Sequence, residues 1–184
     1  MKNLALVLRS GGAAAAVCVL SSTIAHALPQ VGAQLPSAQV VDSDDRRFDL
    51  GSTRGRPVLV VYEDKESAHV NDAFKEELAR LARDGRYKSS VSLVPVADVR
   101  RYDYWPVRGF VKDAIRDESK KQGTSIYCDW NGDFSRKMSL QTGTSSVVLF
   151  GRSGRVLFAK AGQLTAGEIR EVVALLRAEV QGAS

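Results

Sequence analysis

The chain has 184 residues, 44% hydrophobic and 26% charged, with 26 basic against 21 acidic side chains and a formal net charge of +5. That excess argues against a dedicated nucleic-acid binder, which concentrates far more positive charge. Acidic partners are permitted by it but not demanded.

The first 27 residues read as a secretory signal. Lys2 and Arg9 give a basic start, Gly11 to Leu20 a short apolar run, and Ala25-His26-Ala27 an A-x-A cleavage site. A spanning helix needs about 20 apolar residues, and this run falls short of it. Cys18 does not suit a lipid-attachment site, because bulky Val17 precedes it. Residues 28–184 then form one domain, exported to the periplasm or secreted, with no membrane anchor. Loss of Lys2 and Arg9 takes the 26 basic side chains to 24 against 21 acidic ones, a net charge of +3. Cys128 becomes the sole cysteine, so no internal disulfide can form, even in an oxidising compartment. It is a small buried hydrophobe, a reactive thiol or an intermolecular bridge, and free cysteine is among the most buried residue types.

In chain order, Gln39–Asp42 and Arg47–Leu50 form a hairpin around Ser43-Asp44-Asp45. After the loop "GSTRGRP", Val58–Tyr62 is a strand buried on both faces. A helix is predicted over Ser67–Asp84, with Val70, Phe74, Leu78 and Leu81 as its apolar stripe and Gly85 as a left-handed cap. Val91–Val96 is a second strand. The stretch "DVRRYDYWPVRGF" is irregular, with Pro106 at the first position of a helix whose stripe is Val107, Phe110, Val111, Ala114 and Ile115 and which closes near Gly123. Ser125–Cys128 is a short strand, "DWNGD" a turn, and Phe134–Met138 a helical turn. Val147–Phe150 and Val156–Lys160 flank "GRSGR" as a hairpin. Thr165 and Glu168 have capping-box spacing before a helix with Ile169, Val172, Val173, Leu176 and Val180 on one face.

This order, a β-hairpin followed by β-α-β-α-β and β-β-α, predicts an α/β fold. It is a thioredoxin-like central mixed sheet flanked by helices, with an N-terminal β-hairpin extension. The segment from Asp129 to Leu176 carries D-x-x-G (Asp129, Gly132), S-S-x-V (Ser145, Ser146, Val148), G-R-V (Gly154, Arg155, Val156) and A-K-x-G-x-L-T-x-x-E (Ala159, Lys160, Gly162, Leu164, Thr165, Glu168). In this combination it resembles the YtfJ family of bacterial periplasmic thioredoxin-fold proteins. The resemblance extends more loosely to Val31 and implies secretion and the thioredoxin fold. It assigns no biochemical role.

Redox members of this fold carry a Cys-x-x-Cys pair where the strand ending at Tyr62 turns into the helix. Here those four residues are Ser67, Ala68, His69 and Val70. A hydroxyl has neither a thiol's acidity nor its redox couple, so dithiol exchange and cysteine-peroxidase chemistry are excluded at this turn. Ser67, His69 and Asp64 do not form a hydrolytic triad at helical spacing, since i and i+2 face apart. Ser67 is instead expected as a helix N-cap, with Asp64 and Glu66 complementing the helix dipole and His69 facing solvent.

The cis-proline position of the fold reads Thr144-Ser145-Ser146, for which a trans peptide is expected. "DWNGD" fails the EF-hand pattern, with Phe134 where glycine is required. No metal site or cofactor is therefore expected. The function expected is that of a monomeric, non-catalytic module binding a periplasmic protein or peptide. Its ligand surface is expected around Glu63, Asp64, Ser67 and His69, facing Ser145 and Ser146, and extended by Tyr104 and Trp105. The alternative is a single-thiol redox protein using Cys128. Mass spectrometry of the exported form should give a chain beginning at Leu28. A mass that retains residues 1–27, or a lipid on Cys18, overturns the export assignment.

Overall fold

The computed structural model describes residues 28–182. The signal assigned to residues 1–27, with Cys18, lies outside the described residues. Seven strands form one mixed sheet, β1 (Gln39–Asp42), β2 (Arg47–Asp49), β3 (Val58–Glu63), β4 (Ser92–Asp98), β5 (Tyr127–Asp129), β6 (Ser146–Phe150) and β7 (Val156–Ala161). Their spatial order is β2-β1-β5-β4-β3-β6-β7. β3, β4 and β5 run parallel, and every other pairing is antiparallel. The helices are α1 (Asp72–Ala82), α2 (Gly85–Ser90), α3 (Val107–Gln122), α4 (Asp133–Lys137) and α5 (Ala166–Gln181). No helix among the described residues is long and apolar enough to cross a membrane.

Alternation along β3 and β6 divides the core. Leu59, Val61, Val147 and Leu149 face Phe74 of α1 and Val172 and Leu176 of α5. Val58, Val60, Tyr62, Val148 and Phe150 face the other way, against Leu50, Phe134 and Met138. The crossovers β3-α1-α2-β4 and β4-α3-β5 advance the sheet in one direction, and right-handed connections then put α1 and α3 on the same face. α3 accordingly packs Val111 and Ile115 on Val99, Cys128 and Trp130. The N-terminal hairpin turns because Asp42 accepts from the Asp44 and Arg46 amides at 2.8 and 2.9 Å, with Asp45 at φ 61°.

Four expectations are corrected. α1 begins at Asp72, not Ser67, because residues 65–71 form a turn closed by side-chain bonds described below. Gly85 does not cap α1. The helix ends at Ala82, and Asp84 accepts from the Arg86 amide to start α2. The second strand is Ser92–Asp98 rather than Val91–Val96, with Pro95 inside it. A residue without N–H is tolerated there because the register with β5 begins only at Val96.

The fourth correction concerns α3. Phe110 is 70% exposed, and Ala114 is exposed too. The helix is rotated so that its basic side meets the N-terminal hairpin. Lys112 pairs with Asp45, Arg116 with Asp44 at 2.8 Å, and the Arg108 guanidinium lies 4.4 Å from the centre of the Trp130 ring. These stems cover apolar surface while their charges stay paired.

The capping box at α5 forms as expected. Thr165 Oγ1 accepts from the Glu168 amide at 3.2 Å, and Glu168 accepts from the Thr165 amide at 2.8 Å. The Lys160 ammonium at 2.8 Å, helped by the Thr165 donors, holds the Glu168 carboxyl down at about 2. A carboxyl lowered on folding stabilises fully above its unfolded value of about 4.5 and loses that contribution as pH falls through about 2. Thr165→Ala should cost about 1 kcal/mol in urea unfolding at neutral pH. Glu168→Gln should flatten the loss of stability below pH 4.5.

Candidate functional site

The carboxyl ends of β3 and β4 and the amino end of β6 meet at one edge of the sheet, where α/β folds place ligands. Asp64 ends β3 by bonding Ser67 reciprocally. The Ser67 amide donates to Asp64 Oδ1 at 2.8 Å, Ser67 Oγ donates to the same oxygen at 2.6 Å, and the Asp64 amide donates to Ser67 Oγ at 3.0 Å. Asp64 therefore plays the capping part, and Ser67, 4% exposed, is its partner three residues on. The chain rolls through this turn before α1 begins, so Ser67 is not a helix N-cap. His69 is exposed and meets Asp72 of α1 at 3.2 Å. Ser67 and His69 do not touch, and no triad is assembled.

On the α1 face of that edge sits a polar cluster built on Asn71, which is 2% exposed. Its Nδ2 donates to Ser145 Oγ at 2.8 Å and to the Gly162 carbonyl at 3.1 Å, while its Oδ1 accepts from the Leu164 amide at 2.8 Å. Ser145 Oγ in turn donates to Glu63 Oε1 at 2.9 Å, and Lys75 pairs with Glu63 Oε2 at 2.7 Å and donates to the Ala68 carbonyl. Glu63 and Ser145 are thus brought together as expected, but they bond each other and the protein. The Thr144–Ser145 peptide is trans, since among the described residues the cis bond is Trp105–Pro106. Asn71 was not singled out from the sequence. The signal was present, because residues 71, 74, 78 and 81 make an i, i+3, i+7, i+10 stripe, and a polar residue on a buried stripe needs partners.

A second cluster occupies the opposite face at the same edge. Asp98 and Asp129 are register partners at the ends of β4 and β5. Asp129, 3% exposed, accepts from Tyr62 Oη at 3.2 Å and from the Phe134 and Ser135 amides at 3.3 and 3.0 Å. Burial pushes the Tyr62 hydroxyl well above its usual range. Burial also pushes Asp98 up, but the Arg100 guanidinium, with Nε at 2.8 Å, outweighs it and holds the carboxyl low. Ser146 is buried on this face too, beside its register partner Tyr62, and its hydroxyl has no partner. Sequence reasoning passed over Asp98 and Arg100, although an aspartate closing each of two successive apolar strands was the available sign.

Between the clusters is a cleft of about 430 Å³ lined by Asp64, Glu66, Asp98, Arg100, Arg101, Tyr102, Thr142 and Gly143. Arg101 reaches Glu66 at 3.8 Å across it. Tyr104 and Trp105, 57% and 91% exposed, follow directly in the chain. No group of three or more histidine, cysteine, aspartate or glutamate side chains placed to hold a metal ion occurs among the described residues. Cys128 is 2% exposed, packed with Val99 and Trp130. Burial pushes its thiol up to about 12, and the nearby Lys112 and Arg108 charges offset only part of that.

A family model described as a bacterial protein of unknown function, YtfJ_HI0045, matches residues 66–179. No protein among the curated ones matches the chain. Among solved structures, the chain is similar to a putative thiol:disulfide interchange protein DsbE from Chlorobium tepidum, at 15% identity and a TM-score of 0.59, over 83% of this chain and 99% of that one. It is similar to a putative protein disulfide isomerase from Bacteroides thetaiotaomicron at 18% and 0.59, over 81% and 91%. It is also similar to a thiol peroxidase from Chromobacterium violaceum at 15% and 0.58, over 86% and 90%. At these identities the likeness establishes the thioredoxin-like fold.

Asn71→Ala should leave the Leu164 amide and Ser145 hydroxyl short of partners and lower stability by about 1–3 kcal/mol. Asn71→Asp should be at least as damaging in the same urea titration, because a buried carboxylate cannot donate to Ser145 or Gly162. If either variant unfolds like the wild type, the cluster does not hold the edge together. The Cys128 thiol should stay unlabelled by maleimide in the native state and label after denaturation.

Proposed function

The chain belongs to the YtfJ family, and on that basis we propose that it is an exported, periplasmic thioredoxin-fold module that binds a protein or peptide and carries no thiol chemistry. The observation that carries this proposal is the state of the turn at Ser67. Where a redox member would present a thiolate, this chain has a buried hydroxyl committed to Asp64, within a turn closed by that exchange. Export rests on the basic and apolar pattern before Leu28 and on the resemblance to a secreted family.

The ligand surface is the cleft beside the turn rather than the turn's own hydroxyls. Asp64 and Glu66 supply acceptors in its lining, Arg101 and Tyr102 supply donors and an aromatic ring, and exposed Tyr104 and Trp105 follow Tyr102 in the chain. Mixed charge with exposed aromatic rings suits a polypeptide, which offers backbone amides, carbonyls and side chains together. The alternative of single-thiol chemistry at Cys128 finds no support in a side chain that is 2% exposed with its thiol raised to about 12.

The purified protein should reduce insulin disulfides no faster than dithiothreitol alone. Turnover clearly above that background overturns the proposal. In capture from periplasmic extract, wild-type protein should retain a partner that Arg101→Glu loses and that Arg177→Ala, on exposed α5 surface, keeps. Equal retention by all three removes the cleft from the binding surface.

A further inference from the structure

The far end of the sheet carries a second, larger cleft, of about 880 Å³, within the range of small-ligand sites, roughly 300–1,000 Å³. Two loops of nearly the same composition form it. Gly51-Ser52-Thr53-Arg54-Gly55-Arg56 precedes β3, and Gly151-Arg152-Ser153-Gly154-Arg155 follows β6. The register Val58↔Phe150 brings them side by side. Glycine, serine and arginine are the residues from which anion sites are built, since they offer close backbone approach, hydroxyl donors and planar guanidinium forks.

The charge balance of the cleft favours an anion. Arg54, Arg56 and Arg152 line it against one carboxylate, Asp49. Asp49 is already committed, because its oxygens accept from Gln39 Nε2 at 2.9 Å and from the Gly51 amide at 2.7 Å. Arg54 and Arg56 enter no ion pair among the described residues, although the Arg54 charge helps to lower the Asp49 carboxyl, and Arg152 Nε meets Glu179 at 3.8 Å. The loop that bears them is anchored. Thr53 Oγ1 donates to the Leu50 carbonyl at 2.6 Å, the Arg56 amide donates to the Thr53 carbonyl at 3.1 Å, and Gly55 between the arginines sits at φ 84°. On the other loop the Arg152 amide is held by Glu179 at 2.8 Å, and the Gly154 amide donates to the Gly151 carbonyl at 2.8 Å. Two guanidiniums outside any ion pair are therefore carried on an anchored loop, with a third, shared with Glu179, on the neighbouring loop, at the pole away from the cleft described above.

We propose that this cleft binds an anionic phosphate-bearing ligand, gripped by Arg54 and Arg56 and flanked by Arg152. Such a ligand is either a soluble diphosphate or the headgroup of an anionic phospholipid. The two share the chemistry and are separated by the probes used. Inorganic pyrophosphate is titrated calorimetrically into the purified protein, and vesicles of phosphatidylglycerol or of phosphatidylcholine are tested by co-sedimentation. Pyrophosphate binding that weakens with added salt, and that Arg54→Ala/Arg56→Ala reduces tenfold or more, supports a soluble ligand. Sedimentation with phosphatidylglycerol alone, lost in the same double variant, supports the lipid source. Arg170→Ala, on exposed α5 surface, should bind as wild type, and circular dichroism should show the double variant folded. Absence of binding to either probe, or binding unchanged in the double variant, or an equal loss in Arg170→Ala, overturns the proposal.

Discussion

One carboxamide holds the edge at which this fold normally does its chemistry. Asn71 stands just before α1 and bonds the start of β6 through Ser145, the end of β7 through Gly162, and the approach to α5 through Leu164. Elements distant in sequence are fixed to one another by three bonds from a single side chain. A neutral amide suits this place because it donates and accepts at once, and it carries no charge whose burial would need compensation. Glu63 does carry one, and it sits where Lys75 and Ser145 neutralise and solvate it. The cluster ties together the ends of β3, β6 and β7 at that edge.

The two faces of the sheet solve the same problem with different chemistry. On the α1 face the polar ends of β3 and β6 are joined by side-chain amide and hydroxyl groups. On the other face Asp98 and Asp129 lie side by side, and two like charges there would repel. Their oxygens are satisfied by different donors. Asp98 has the Arg100 guanidinium, and Asp129 has two backbone amides opening α4 and the Tyr62 hydroxyl. Apart from the Ser146 hydroxyl, the polar groups of both clusters bond the protein, and the cleft between them adds the side chains of Glu66 and Arg101.

Much of the fold was legible because it follows from periodicity. Four consecutive apolar residues at Val58 to Val61 required a strand covered on both sides, and the Thr165–Glu168 spacing marked the start of α5 to the residue. The usual burial of free cysteine agreed with Cys128, which is 2% exposed. The failures have a common cause, which is that side-chain bonds and ion pairs overrode local pattern. The Asp64–Ser67 exchange kept residues 65–71 out of α1, and Asp84 restarted a helix where Gly85 alone suggested an end. In α3 the apolar stripe through Phe110 was a reasonable inference from spacing, but Asp44 and Asp45 on the hairpin drew the basic side inward instead. Nothing in the local sequence ties residue 112 to residue 45. At the candidate site, Glu63 and Ser145 were singled out by residue type, and a hydrogen bond joins them. Their commitment to Asn71 and Lys75 depended on a register between β3 and β6 that is set by the whole sheet.

The placement of the two tryptophans separates two kinds of event. Trp130 is 7% exposed beneath Arg108, beside Cys128 in the core, and Trp105 is 91% exposed at the entrance to α3. Their emission spectra therefore overlap without coinciding, one blue and shielded from dissolved quenchers, the other red and open to them. Contact at the aromatic loop would alter the red component alone, whereas unfolding would carry the blue one into it. The molecule contains its own pair of optical reporters, one for its surface and one for its interior.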